Sequence, residues 1–190
     1  MLTKPVLEST DIILDIKEQK RCDCALMLDT SLSMTGKKLA LLAVAAAVVA
    51  YKLPSEDFAI ISFESTASTL KKMRARMPIE QVVTKILQVP AVGYTNVEAA
   101  LEEGLRQLAA GRHKKRVGIL LSDGKYTAGG SPLPVASRYR NLHVVLLGDF
   151  NTDPAMCSAL AVGGHGMLYR APSFESLPRT LNRLVADLLT

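Results

Sequence analysis

The chain has no tryptophan, and aromatic residues make up only 5% of its 190 residues. That scarcity argues against a platform for single-stranded nucleic acid, which needs aromatic faces to stack bases. Three cysteines, Cys22, Cys24 and Cys157, fall short of a four-ligand structural zinc pattern and are odd in number for a disulfide framework. They are expected to be reduced, structural thiols of a cytoplasmic protein. Cys22 and Cys24 alternate along an expected strand and so share a face. No apolar run suits a membrane span. The longest, Leu39 to Tyr51, is shorter than the roughly 18–20 residues a bilayer requires. Its Ala content and its lead-in, Gly36-Lys37-Lys38, suggest instead a helix buried on most faces. A signal peptide is not expected, because Pro5, Glu8 and Asp11 stand where its apolar region would be. No repeat, low-complexity tract or Gly/Ser/Pro linker divides the chain.

What is present fits one folded domain. Hydrophobic residues account for 48% and charged residues for 22%, with a mean hydropathy of +0.19, which excludes wholesale disorder. The expected division is an extension or added strand at 1–20, with Ile12-Ile13-Leu14-Asp15-Ile16 as its apolar part, and one domain at 21–190. A formal charge of +5 leaves nucleic acid, an anionic membrane or an acidic protein as partners.

Strands are predicted at Cys24–Leu28, Phe58–Phe63, Val117–Leu121, Leu142–Leu147 and Gly166–Arg170, with Ser65–Leu70 returning as a hairpin partner. Helices are predicted at Lys37–Lys52, from Pro78 through the apolar positions Ile79, Val82, Val83, Ile86 and Leu87, at Thr95–Leu108, at Pro154–Val162 and at Phe174–Leu189. Near-continuously apolar strands are covered on both faces, as in a parallel sheet. Alternation with helices makes this a doubly wound α/β fold, its central sheet mostly parallel with one antiparallel edge strand. Ligands of such sheets bind outside the carboxyl ends of the strands.

Two central strands end in aspartate, Asp29 and Asp123. Asp29 opens Asp29-Thr30-Ser31-Leu32-Ser33-Met34, where Ser31 and Ser33 can aim two hydroxyls at one point. Thr95, in Gly93-Tyr94-Thr95-Asn96, precedes another helix, and Gly93 permits close approach there. All five groups are hard oxygen donors, the kind that Mg²⁺ prefers. Taken singly, Ser31 and Ser33 also suit an N-capping loop, Asp123-Gly124 a plain turn, and Thr95 with Asn96 a helix cap. Glu64 and Asp149 follow strands and are expected on the same rim. His113, His143 and His165 are scattered along the sequence.

Asp-x-Ser-x-Ser, a separated Thr, and Asp-Gly after an apolar strand resemble the metal-ion-dependent adhesion site (MIDAS) of von Willebrand factor A domains. The likeness runs from about Arg21 to the carboxyl end. It implies that Ser31, Ser33 and Thr95 ligate a metal directly, and that Asp29 and Asp123 do so directly or through water. It further implies Mg²⁺ (Mn²⁺ or Ca²⁺ as alternatives), an open coordination position filled by a partner's carboxylate, and an interaction module rather than an enzyme. Leu32 departs from the pattern, since many relatives have Gly there, whereas Met34 matches. The cytoplasmic prokaryotic members fit better than the disulfide-bearing extracellular ones, and they often work with AAA+ ATPases of the MoxR or metal-chelatase kind. The C-terminal helix is the element such a resemblance would couple to metal-site movement.

Enzymatic alternatives lack their motifs. Asp29-Thr30-Ser31 is not the Asp-x-Asp of an aspartyl phosphatase. Gly36-Lys37-Lys38 is not a P-loop, and no nucleophile elbow is present. A metal-dependent phosphoester hydrolase and a basic nucleic-acid-binding domain remain as alternatives. The positive charge falls in two clusters, Lys71–Arg76 and Arg112–Arg116. Both are expected at the amino end of the sheet, opposite the metal site, as solvated surface or as a docking face for an acidic partner.

Overall fold

The computed structural model describes residues 21–32, 37–90, 93–173 and 175–189. The proposed extension at 1–20 and the segment containing Ser33 and Met34 lie outside these. Six strands, β1 (Asp23–Asp29), β2 (Phe58–Phe63), β3 (Ala67–Lys71), β4 (Arg116–Ser122), β5 (Leu142–Leu147) and β6 (Leu168–Ala171), form one sheet in the order β3-β2-β1-β4-β5-β6. Every neighbouring pair is parallel except β2–β3, the hairpin. The helices are α1 (Lys37–Lys52), α2 (Ile79–Leu87), α3 (Val97–Ala109), α4 (Leu133–Ala136), α5 (Pro154–Gly163) and α6 (Ser176–Leu189).

The alternation of side chains along β1 divides the core. Cys22, Cys24, Leu26 and Leu28 pack with residues of α1, α2 and α6, including Leu42, Ile86 and Leu181. Ala25 and Met27 pack on the opposite face with residues of α3, α4 and α5, including Leu101, Ala136 and Leu160. Both faces of the inner strands are therefore covered, which explains their unbroken apolar sequence. The three thiols are buried and unpaired. Burial pushes Cys22 up to about 11 and Cys157 up to about 12, so both remain protonated.

Two expectations change in detail. Leu87, on the expected apolar stripe of α2, is exposed, whereas Val82 and Ile86 are buried in the core and Val83 packs against it half-buried. Helix α3 starts at Val97 rather than Thr95. Its cap is Asn96, whose Oδ1 accepts the Ala99 N–H at 3.0 Å. The short α4 has no counterpart in the sequence reading, because a four-residue helix is too brief to display a period.

Candidate functional site

The strand order creates a topological switch point between β1 and β4. Chain leaving β1 turns to α1 on one face of the sheet, and chain leaving β4 turns to α4 on the other. A crevice opens between two such diverging loops. Asp29 ends β1, one step past the Leu28–Leu121 register pair, and Asp123 follows β4 directly. The two aspartates are thus brought to the same place by parallel pairing across more than ninety residues of sequence.

Asp29 is fully buried. Its Oδ1 accepts hydrogen bonds from the Ser31 N–H at 3.1 Å and the Ser31 hydroxyl at 2.6 Å. Its Oδ2 accepts from the Ser122 hydroxyl at 2.7 Å, and Ser122 Oγ accepts the Gly124 N–H at 3.1 Å. Burial pushes the Asp29 carboxyl up to about 6. The hydrogen bonds from Ser31 and Ser122 pull against that rise, and the negative charge of Asp123 adds to it.

Asp123 is also buried, and its Oδ1 accepts the Lys125 N–H at 3.2 Å. Its carbonyl accepts the Asp153 N–H at 2.8 Å, which ties the turn to the start of α5. Gly124 completes that turn at φ +87°, where a Cβ would stand 2.3 Å from the Asp153 carbonyl oxygen. Replacing Gly124 with Ala combines left-handed backbone strain with a backbone clash. It is expected to cost about 1–3 kcal/mol, read as a lower urea midpoint.

Thr95 is held by the loop that follows β4. Its N–H donates to Thr127 Oγ1 at 3.0 Å, and its carbonyl accepts from the N–H groups of Thr127 (2.9 Å) and Ala128 (3.1 Å). On its other side the Asn96 N–H donates to the Glu64 carbonyl at 2.7 Å, so this loop is pinned between the ends of β2 and β4. Gly93 adopts φ +78°, and a Cβ there would meet Glu64 Oε2 at 2.2 Å, in agreement with the close approach expected of it. Glu64 and Asp149 both follow strands at this end. The Glu64 carboxylate accepts from Ser65 and Thr66, and the Ser65 hydrogen bond lowers its pKa.

The structure therefore joins Asp29 and Ser31 by direct hydrogen bonds. It sets Asp123 close enough for charge coupling to Asp29 and pins Thr95 to the loop beyond Asp123. Ser33 lies outside the described residues. Two contributors escaped the sequence reading. Ser122, a lone hydroxyl at the end of an apolar strand, left a weak local signal. Thr127 left none, since its role exists only where two distant loops meet. The described oxygens of Asp29, Ser31, Thr95 and Asp123 are of the type that holds a hard divalent cation. A buried carboxylate of raised pKa beside a second carboxylate is the electrostatic situation such an ion relieves.

None of the three histidines stands at this rim. His113 precedes β4, His143 is the second residue of β5, and His165 precedes β6, all towards the amino end. His143 is buried, and its Nδ1 accepts the Met167 N–H at 3.2 Å.

The basic clusters lie at the amino end as expected, with Arg112–Arg116 leading into β4. A cleft of about 310 Å³ there is lined by Leu105, Leu108, Arg116, Arg138, Tyr139 and Arg140. One member departs from the solvated reading: Lys71 is buried at the end of β3. Among the described residues, no helix is long and apolar enough to cross a membrane.

Among solved structures, the fold is similar to a von Willebrand factor type A protein from Catenulispora acidiphila, with a TM-score of 0.78 at 15% identity over 89% of this chain and 43% of that one. It is also similar to proximal thread matrix protein 1 of the mussel byssus in a form with a zinc-occupied MIDAS motif (TM-score 0.73, 18% identity, 90% of this chain and 48% of that one). BatB from Bacteroides thetaiotaomicron gives a TM-score of 0.70 at 16% identity, over 88% of this chain and 98% of that one. This chain thus spans less than half the length of the first two of these. A search of curated protein sequences finds no match. A family model for the von Willebrand factor type A domain matches residues 23–183, and the chain belongs to that family.

Proposed function

We propose that the chain is a divalent-cation-dependent protein-interaction module. In this reading Asp29, Ser31, Ser33, Thr95 and Asp123 hold Mg²⁺, and the ion captures an Asp or Glu carboxylate of a partner protein. The observation that supports it is that the hydrogen-bonded Asp29 and Ser31, the charge-coupled Asp123, and Thr95, which is tied to the loop after β4, all belong to the carboxyl end of the sheet, where exposed apolar side chains also occur. Leu32 (64% exposed) follows β1, Tyr126 (38%) follows β4, Phe150 (91%) follows β5, and Tyr94 (67%) stands next to Thr95. Exposed apolar side chains bordering a polar centre are the arrangement of a protein-binding surface. The bound cation would supply a positive centre on an otherwise acidic rim. The protein's part is to orient the donors: Ser122 holds Asp29, and Thr127 holds Thr95.

Hydrolysis is less well served, because no histidine lies at the rim to act as a general base. The zinc-occupied MIDAS of the mussel protein supports a metal at this location. An AAA+ ATPase of the MoxR or metal-chelatase kind, in the cytoplasm, is the partner that the family resemblance favours.

Titration calorimetry with Mg²⁺ tests the metal site. Thr95→Ala is expected to weaken binding at least about tenfold, as the loss of one ligand or its support does. Equal affinity in both proteins would remove the claim. Recovery of a partner on immobilised chain, abolished by EDTA, tests the capture step. Recovery of nucleic acid indifferent to EDTA would favour the basic face instead.

A further inference from the structure

A second cluster of ligating groups lies at the opposite end of the sheet from Asp29. Asp23 begins β1 and is buried, and its Oδ2 accepts the His113 N–H at 2.7 Å. Asp57 closes a 3-10 turn, Ser55–Asp57, just before β2. Asp57 Oδ1 lies 3.1 Å from His113 Nε2. One ligand atom from each of Asp23, Asp57 and His113 falls within 4.8 Å of the other two.

An independent observation concerns the second oxygen of the same Asp57 carboxylate. Asp57 is only 6% exposed, and its Oδ2 is buried with no hydrogen-bond partner among the described residues. A buried carboxylate oxygen left unpaired is costly and calls for an ion or a donor. The nearby ammonium groups form no hydrogen bond to that oxygen, although the charge of Lys71 is coupled to Asp57. Lys71 donates to the carbonyls of Ser55 and Phe58, and Lys115 donates to the carbonyl of Leu188.

We propose that Asp23, Asp57 and His113 form a site for a divalent transition metal of the Zn²⁺ class. Two carboxylates and one imidazole make a mixed O,O,N set. Imidazole selects zinc-like ions, whereas Mg²⁺ prefers an all-oxygen shell. Three protein ligands leave a fourth tetrahedral position for water. The side chains come from the start of β1, the approach to β2 and the α3–β4 loop, so a bound ion would clamp three segments distant in sequence. It would also fix the start of the basic stretch Arg112–Arg116. The site is separate from the Asp29 rim in place, in donor chemistry and in preferred metal.

The test counts bound Zn²⁺ per chain by native mass spectrometry and calorimetry, on untagged protein with Mg²⁺ in excess. His113→Gln removes the nitrogen ligand at a partly exposed position, and Asp57→Asn removes a carboxylate charge. Each is expected to lower the count by one, with any other bound equivalent unchanged. Co²⁺ substitution should give the visible absorption of a tetrahedral site in wild type and lose it in His113→Gln. Far-UV circular dichroism establishes that His113→Gln is folded. An unchanged Zn²⁺ count in folded His113→Gln would reduce the cluster to an ordinary Asp–His pair and overturn the proposal. Because Asp29 is intact throughout, that result would leave the rim reading untouched. Conversely, a Thr95→Ala variant that kept its Mg²⁺ affinity would not affect the zinc count.

Discussion

In the presence of EDTA at neutral pH, Asp29→Asn is expected to be more stable than wild type by about 2–3 kcal/mol. The physical cause is the burial that pushes the Asp29 carboxyl from 3.8 up to about 6, with Ser31 and Ser122 opposing and Asp123 reinforcing. The sign follows from proton linkage. Below about pH 4 the carboxyl is protonated in folded and unfolded chains alike, and the stability associated with it is fully present. As pH rises towards 6 the unfolded chain gives up its proton first, and the folded chain is then forced to carry a buried charge. Stability from this group is therefore lost as pH rises through the folded pKa. The gap between Asp29→Asn and wild type should open between pH about 4 and 6 and stay level above. Mg²⁺ should raise the urea midpoint of wild type and leave the variant unmoved, since the ion compensates a charge that Asn lacks. Parallel pH profiles for the two proteins in EDTA would contradict the account.

Lys71→Ala should be among the most damaging single substitutions outside the apolar core. Lys71 is 1% exposed, and its ammonium lies 4.1 Å from the centre of the Phe58 ring. It donates to the carbonyls of Ser55 and Phe58, with the charges of Glu56 and Asp57 nearby. Removal strands those carbonyls and empties the channel of the side-chain stem. A loss of about 3–4 kcal/mol is expected from unpaired buried groups and cavity together. Lys71→Met keeps the stem and should recover part of the loss. Burial pushes the Lys71 pKa from 10.5 down to about 8, with Glu56 and Asp57 partly restoring it. A lowered base gives stability that is present above its unfolded pKa and lost as pH falls through the folded one. Wild type should therefore gain on Lys71→Met as pH rises from about 8 to 10.5. Chemical denaturation of the three proteins across that range checks both magnitude and sign. A Lys71→Ala midpoint equal to wild type would show that the carbonyls are satisfied without the ammonium.

The fold was legible because its signals are local. The apolar strands at Cys24–Leu28, Phe58–Phe63 and Leu142–Leu147, and the helix at Lys37–Lys52, stand where their periodicity and punctuation put them. Asp29 and Asp123 were legible because each terminates an apolar strand, and a parallel sheet brings strand ends together. Finer features were not legible. Thr95 and Asn96 are both competent caps by composition, and only the path of the chain gives the role to Asn96 and leaves Thr95 facing the β4 loop. Lys71 and Lys72 are identical letters in one basic cluster. The alternation of β3 and the hairpin geometry bury the first and expose the second.

Sequence alone determined the doubly wound class, the two aspartates at strand ends, and the place of the basic clusters at the amino end. These follow from side-chain period, strand polarity and chain direction, which are properties of short segments. The tertiary structure decided the rest. It joined Ser122 to Asp29 and Thr127 to Thr95, buried Lys71, and set His113 against Asp23 and Asp57. Each of those contacts spans tens of residues, and its energy depends on burial and donor geometry that no local pattern encodes. The absence of tryptophan and the count of three cysteines argue against an aromatic platform and a four-cysteine zinc site. Carboxylates, hydroxyls and one histidine, brought together by folding, make up the polar sites at its two ends.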